Sequence, residues 1–204
     1  MTNATELVAL IKKLPRFQGL VVSYKSISID VLQVLSPHMI EFNSNCCTNS
    51  QVDIDAALNI LVNHSPKLQC IVVGIGGLQL NCESLKKIAH LPLKSIHLSS
   101  ITDWGTHIDE VIDIISQMSS LEEVDIWDMI MNCATLKKIV TLPIKRIALR
   151  QITYCEVRID EVVDIISQMG SLHYVDVDEI ELDNARRTAL SCLPNNITVS
   201  YPRY

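Results

Sequence analysis

Two apolar rhythms alternate along the chain. Residues 85–98 read L-K-K-I-A-H-L-P-L-K-S-I-H-L, and residues 136–149 read L-K-K-I-V-T-L-P-I-K-R-I-A-L. A second block keeps the same register, I-D-E-V-I-D-I-I-S-Q-M-S-S-L from Ile108 and I-D-E-V-V-D-I-I-S-Q-M-G-S-L from Ile159. Both blocks recur at an offset of 51 residues, Leu85 to Leu136 and Ile108 to Ile159. Self-similarity at a fixed period is the mark of a repeat architecture. Within each period the helical spacing of Val111, Ile112, Ile114, Ile115 and Met118 gives way to the alternation of Leu121, Val124 and Ile126. The first is the pattern of an amphipathic helix and the second that of a strand with one buried face.

Each period holds two helix-then-strand modules. The short one ends its helix at Leu91-Pro92 or Leu142-Pro143, since proline stops a helix and the chain beyond it can extend. The long one starts at Ile108-Asp109 or Ile159-Asp160, with related starts at Ile29-Asp30 and Ile54-Asp55. An aspartate there accepts from free backbone N–H groups and opposes the positive end of the helix dipole. The pattern predicts helices at roughly residues 4–14, 28–36, 53–63, 83–90, 108–118, 134–141, 159–169 and 183–192, each followed by a strand of one parallel sheet.

The extended segments fit the template L-x-x-L-x-L. Matches run through Phe17/Leu20/Val22, Leu68/Ile71/Val73, Leu93/Ile96/Leu98, Leu121/Val124/Ile126, Ile144/Ile147/Leu149 and Leu172/Val175/Val177, with two degenerate copies at Ile40/Phe42 and Ile197/Val199. Residues in this arrangement resemble leucine-rich repeats of the ribonuclease-inhibitor-like, cysteine-containing type. The resemblance covers essentially all 204 residues. It implies an α/β solenoid in a single domain, residues 1–204, of about eight alternating short and long repeats. A curved parallel sheet then lines the concave side and helices the convex side. The chain departs from the family pattern in its turns. The asparagine expected after the last strand leucine is Asn45 in one repeat but Ile101, Met129, Ile152 and Ile180 in four others. Something other than an asparagine ladder must satisfy those backbone groups.

Composition narrows the picture. The chain is 48% hydrophobic but only 4% aromatic, so its core is aliphatic and suits thin layered packing. A net charge of −6 argues against nucleic acid or an anionic membrane as partner. The start of the chain, with Glu6 and an apolar run of only Leu7 to Ile11, lacks the pattern of a signal peptide or a membrane span. Seven cysteines, an odd number at scattered positions, fit reduced and mostly buried thiols in a cytoplasmic protein. Sequons at Asn3, Asn63 and Asn196 point weakly to secretion instead.

Candidate chemistry is sparse. Gly74-Ile75-Gly76-Gly77 lacks the lysine of a phosphate-binding loop, the cysteines show no C-x-x-C spacing, and the six histidines show no H-x-x-x-H pair. Cys82 and Cys133 stand at equivalent positions before a helix and read as core fillers. The sequence therefore predicts no catalytic residue, no metal and no cofactor.

Function is then expected on strand residues that the core does not need, because alternate side chains point to the open face. A central column reads Val21, Glu41, Val72, His97, Asp125, Ala148, Asp176 and Thr198. The candidate partner-binding residues are His97, Glu123, Asp125, Trp127, Arg146, Arg150, Tyr174, Asp176 and Asp178. They form an acidic, a basic and again an acidic stripe, which can pair sideways or meet a partner with Trp127 and Tyr174 as anchors. The expected role is a non-catalytic protein-interaction module. Alternatives are an adaptor or substrate-recognition subunit of a larger complex such as a ubiquitin ligase, and an oligomeric scaffold through uncapped ends. In that last case a homodimer forms at the carboxy-terminal edge around Tyr201 and Tyr204.

Overall fold

The computed structural model describes residues 6, 9–10, 13–14, 21–23, 32–33, 39–43, 54–73, 82–98, 108–127, 132–150, 159–176, 188 and 190–200. They fall in two compact units, Met1–Leu93 and Lys94–Tyr204. In the first unit β1 (Val21–Ser23), β2 (Glu41–Asn43) and β3 (Cys70–Val73) pair in parallel, with helices α1 (Ile54–His64) and α2 (Cys82–Ile88). The second unit holds β4 (Ser95–Leu98), β5 (Glu123–Trp127), β6 (Arg146–Arg150), β7 (Tyr174–Asp176) and β8 (Thr198–Ser200), also parallel and in chain order. Its helices are α3 (Ile108–Ile115), α4 (Cys133–Lys137) and α5 (Ile159–Ser167). Glu6, Ala9, Leu10, Leu32, Gln33, Thr188 and Leu190 are helical too and lie inside three further expected helices.

Burial follows the two rhythms. Along β5 Val124 and Ile126 are buried, and so is Leu121 ahead of the strand. Val111, Ile112, Ile114 and Ile115 of α3 and Val162, Val163, Ile165 and Ile166 of α5 close the same layer from the helix side. Leu10, counted among the apolar positions of the first helix, is exposed instead, as is Leu14.

Four strands, β3, β5, β6 and β7, begin on a shared carbonyl just ahead of the neighbouring strand, whereas at the start of β8 Thr198 alone takes the His173 carbonyl. The Lys94 carbonyl accepts from the N–H groups of Glu122 and Glu123 at 2.8 Å each, and the Glu122 carbonyl from Lys145 at 2.7 Å and Arg146 at 3.1 Å. The Lys145 carbonyl accepts from His173 and Tyr174 at 2.9 and 3.1 Å, and in the first unit Ile40 serves Gln69 and Cys70 in the same way. One carbonyl has two lone pairs, so this fork satisfies two donors without any side chain. The turns where the asparagine ladder was expected lie outside the described residues.

Four helices, α2 to α5, stop earlier than their apolar periodicity predicts. Beyond α3 the chain tightens, Gln117 N–H to the Ile114 carbonyl at 3.1 Å and Met118 N–H to Ile115 at 2.9 Å, and beyond α4 Lys138 and Ile139 bond three residues back. Ser116 Oγ and Gln117 Nε2 both donate to the Asp113 carbonyl, at 2.8 and 3.0 Å. Their repeats Ser167 and Gln168 donate to the carbonyls of Val163 and Asp164 after α5. The recurrent Ser-Gln pair is therefore a helix-ending device, its side chains donating to carbonyls of the last turn.

The strand register corrects part of the sequence alignment. Val22 and Phe42 pair in line with Ile71, the middle apolar residue of its template, and Val199 pairs with Val175. The expected alignment placed Val22 and Phe42 at the last position, and Ile197 at the middle one. These strands are short and match the template at only two or three positions, so apolar spacing leaves a slip of two open. Such a slip keeps the same residues facing the core and only moves them along the sheet. Ser23, Asn43 and Ser200 thereby replace Val21, Glu41 and Thr198 in the central column.

Candidate functional site

On the second unit the face of the sheet away from the helices is laid out in rows. One row runs Ser95, Glu123, Arg146, Tyr174 and Thr198, and the next His97, Asp125, Ala148, Asp176 and Ser200. Trp127 stands in register with Arg150 beyond them. Strand alternation puts the residues of these two rows in the second unit on one face, and parallel neighbours lie about 4.8 Å apart. Of the expected site residues, then, His97, Glu123, Asp125, Arg146, Tyr174 and Asp176 come together. For Trp127 and Arg150 only the backbone is described, and Asp178 lies outside the described residues.

Contacts tie the rows together at one end. His97 Nδ1 lies 3.2 Å from Asp125 Oδ2, His97 Nε2 lies 2.8 Å from Ser95 Oγ, and that hydroxyl lies 3.3 Å from Glu123 Oε2. Ser95 was not among the expected site residues. Its position two before His97 on the same strand is the signal that could have found it. In the middle of the sheet the Arg146 guanidinium stacks over the Tyr174 ring, 5.1 Å from its centroid, an arrangement that cation–π attraction favours.

The central column is less open than alternation alone implies. Ala148 is buried and Asp176 is only 6% exposed. Asp176 is on the expected face but offers a partner little surface.

Outside this face the charges pair locally. Lys145 Nζ donates to Glu122 Oε2 at 2.7 Å, and this bond holds the Glu122 carboxyl below its ordinary pKa. On the helix side Lys138 reaches Asp113 at 2.8 Å and Asp109 at 3.7 Å, and the Asp113 bond holds its ammonium above the ordinary value. Lys137 pairs with Glu161 at 3.1 Å. Thr135, fully buried, donates to Asp109 Oδ1 at 2.5 Å, while its own N–H is capped by Asn132 Oδ1 at 2.8 Å. Cys133, the first residue of α4, is buried, which pushes its thiol pKa up, and Glu161 pushes it further. Cys70, Cys82 and Cys192 form no disulfide and are half-buried or exposed, contrary to the expectation of mostly buried cysteines; Cys46, Cys47 and Cys155 lie outside the described residues.

Among the described residues no group of three or more His, Cys, Asp or Glu side chains is placed to hold a metal ion. No described helix is long and apolar enough to cross a membrane.

No protein-family description matches the sequence, and no curated protein matches it. Solved structures do. The leucine-rich-repeat-containing protein LegL7 of Legionella pneumophila superposes with a TM-score of 0.57 at 16% identity, over 93% of this chain and 67% of that one. Internalin C2 of Listeria monocytogenes gives 0.44 at 14% identity, over 74% of this chain and 56% of that one. The yeast Rad7 and Elc1 complex gives 0.43 at 13% identity, over 97% of this chain and 76% of that one. Parallel strands in chain order, a helix between most successive pairs, and the LegL7 superposition agree: the chain is a leucine-rich-repeat solenoid in fold.

Proposed function

We propose that this chain is a non-catalytic protein-interaction module that meets a protein partner on the strand face of β4 to β8. The observation that carries the reading is the row Glu123, Arg146 and Tyr174. These side chains are half-exposed, stand in register on three adjacent strands, and take no part in the apolar layer. Arginine and aromatic side chains at the centre of a surface are the types that dominate binding energy. Their role as an adaptor in a larger assembly is a narrower form of the same reading. Seven cysteines, one of them a buried thiol in α4, favour a reducing compartment such as the cytoplasm.

Ser95, His97 and Asp125 have the connectivity of a serine nucleophile, its base and the group that orients the base. Acyl transfer also needs donors converging on the developing oxyanion. Ser95 is 9% exposed and opens a straight strand, where successive amides alternate in direction instead of converging. The trio therefore reads as part of a satisfied polar surface.

The test is affinity capture from the native cell with the unsubstituted chain, Arg146→Glu and Trp127→Ala. The partner should be retained by the first and weakened by about 1–3 kcal/mol in each variant, with little change in melting temperature. Full retention by both variants, with loss on Lys137→Glu at the helix side, moves the site off the strand face.

A further inference from the structure

Asp125, His97, Ser95 and Glu123 form one unbroken chain of hydrogen-bonding distances, 3.2, 2.8 and 3.3 Å in that order. A carboxylate can only accept, so His97 Nδ1 carries a proton in either charge state of the ring. The other ring nitrogen is the variable. When the ring is neutral, Nε2 accepts from the Ser95 hydroxyl, whose single hydrogen is then committed to the ring. When it is protonated, Nε2 donates to Ser95 Oγ, and the serine hydrogen turns to Glu123 Oε2. One added proton thus reorients the serine hydroxyl and puts an imidazolium between two carboxylates.

We propose that His97 is a proton switch for the strand face, its charge state set by Asp125 directly and by Glu123 through Ser95. The side chain of Asp125 is 13% exposed and that of His97 28%, so the pair is partly withdrawn from water, yet the ring stays within reach of solvent protons. Charge interactions are screened less in such a setting than on open surface. Among the described residues of this unit, the titratable groups beside the ring are those of β5, Glu123 and Asp125, and on β4 itself His97 is the only one. Arg146 stands one strand beyond Glu123. Histidine is the side chain whose unperturbed charge change falls between about pH 5 and 8.

The consequence for binding rests on the docking face proposed above. With the ring neutral, two carboxylates favour a cationic group of the partner; with it protonated, that attraction is offset. Partner binding by a cationic group should weaken as pH falls.

Heteronuclear NMR of the His97 ring in the partner-free chain, from about pH 5 to 8, tests the switch. The midpoint should fall by about one pH unit in Asp125→Asn. It should fall by a smaller step in Glu123→Gln, and that smaller step should shrink when Ser95→Ala is also present. The ring nitrogen shifts of the unsubstituted chain give a reading that needs no variant: Nδ1 protonated throughout and Nε2 gaining its proton across the range. Equal midpoints in both carboxylate variants, or the opposite tautomer, overturn the switch. Failure there leaves the docking face standing, whereas normal partner capture by Arg146→Glu and Trp127→Ala defeats the face and leaves the titration unaffected.

Discussion

Thr135 shows how much one side chain does at a repeat boundary. It is fully buried, and its hydroxyl joins the short-module helix α4 to Asp109 at the start of α3. Thr135→Val keeps the shape but leaves the Asp109 side chain without that donor, and stability should drop by about 1–3 kcal/mol in chemical denaturation. Val124 is different in kind, since it supplies only apolar volume. Truncating its neighbour Leu121 to alanine should cost about 2–5 kcal/mol and report on the core, not on binding. Thiol accessibility gives a third measure at this scale. Cys192 is exposed while Cys133 is buried with a raised thiol pKa, so a thiol reagent at neutral pH should modify native Cys192 well before Cys133. Comparable rates would mean that α4 opens readily.

At the scale of elements, the Ser-Gln pair that closes α3 and α5 was visible in the sequence as a recurrent motif, but its purpose was not. Only the positions of the Asp113, Val163 and Asp164 carbonyls show that these side chains finish the helix. The residue after Met118 and Met169 carries the same lesson. Ser119 stands in one repeat and Gly170 in the other, and a Cβ built at Gly170 meets no atom within 4 Å. Gly170→Ala should therefore be tolerated and raise stability by about 0.4–1 kcal/mol, by restricting the unfolded chain. A loss of stability would place Gly170 in a conformation that only glycine adopts easily. The exposed Lys137–Glu161 pair between α4 and α5 links adjacent helices in space but sits in water and salt. Lys137→Ala should change stability by under about 1 kcal/mol.

For the whole molecule, the sequence reading of one solenoid domain over residues 1–204 predicts a single cooperative transition on heating, seen alike by far-ultraviolet dichroism and by tryptophan fluorescence. Two resolved transitions would assign separate stabilities to Met1–Leu93 and Lys94–Tyr204. By itself the sequence determined the repeat, the alternation of helix and strand, the parallel pairing and the buried positions of α3, α5 and β5. Each of these depends on periodic burial, and a period is written in the order of residues. It also placed His97, Glu123, Asp125, Arg146 and Tyr174 on one face, because alternation along a strand needs no knowledge of the neighbouring strand. Tertiary structure alone decided the register of β1, β2 and β8, since a slip of two residues preserves every buried face and so leaves no trace in the pattern. It alone showed Asp176 covered and Ser95 joined to His97 and Glu123. Those are distances between side chains on different strands or at different heights, and they follow from how neighbouring side chains fill space, not from the spacing of residues along the chain.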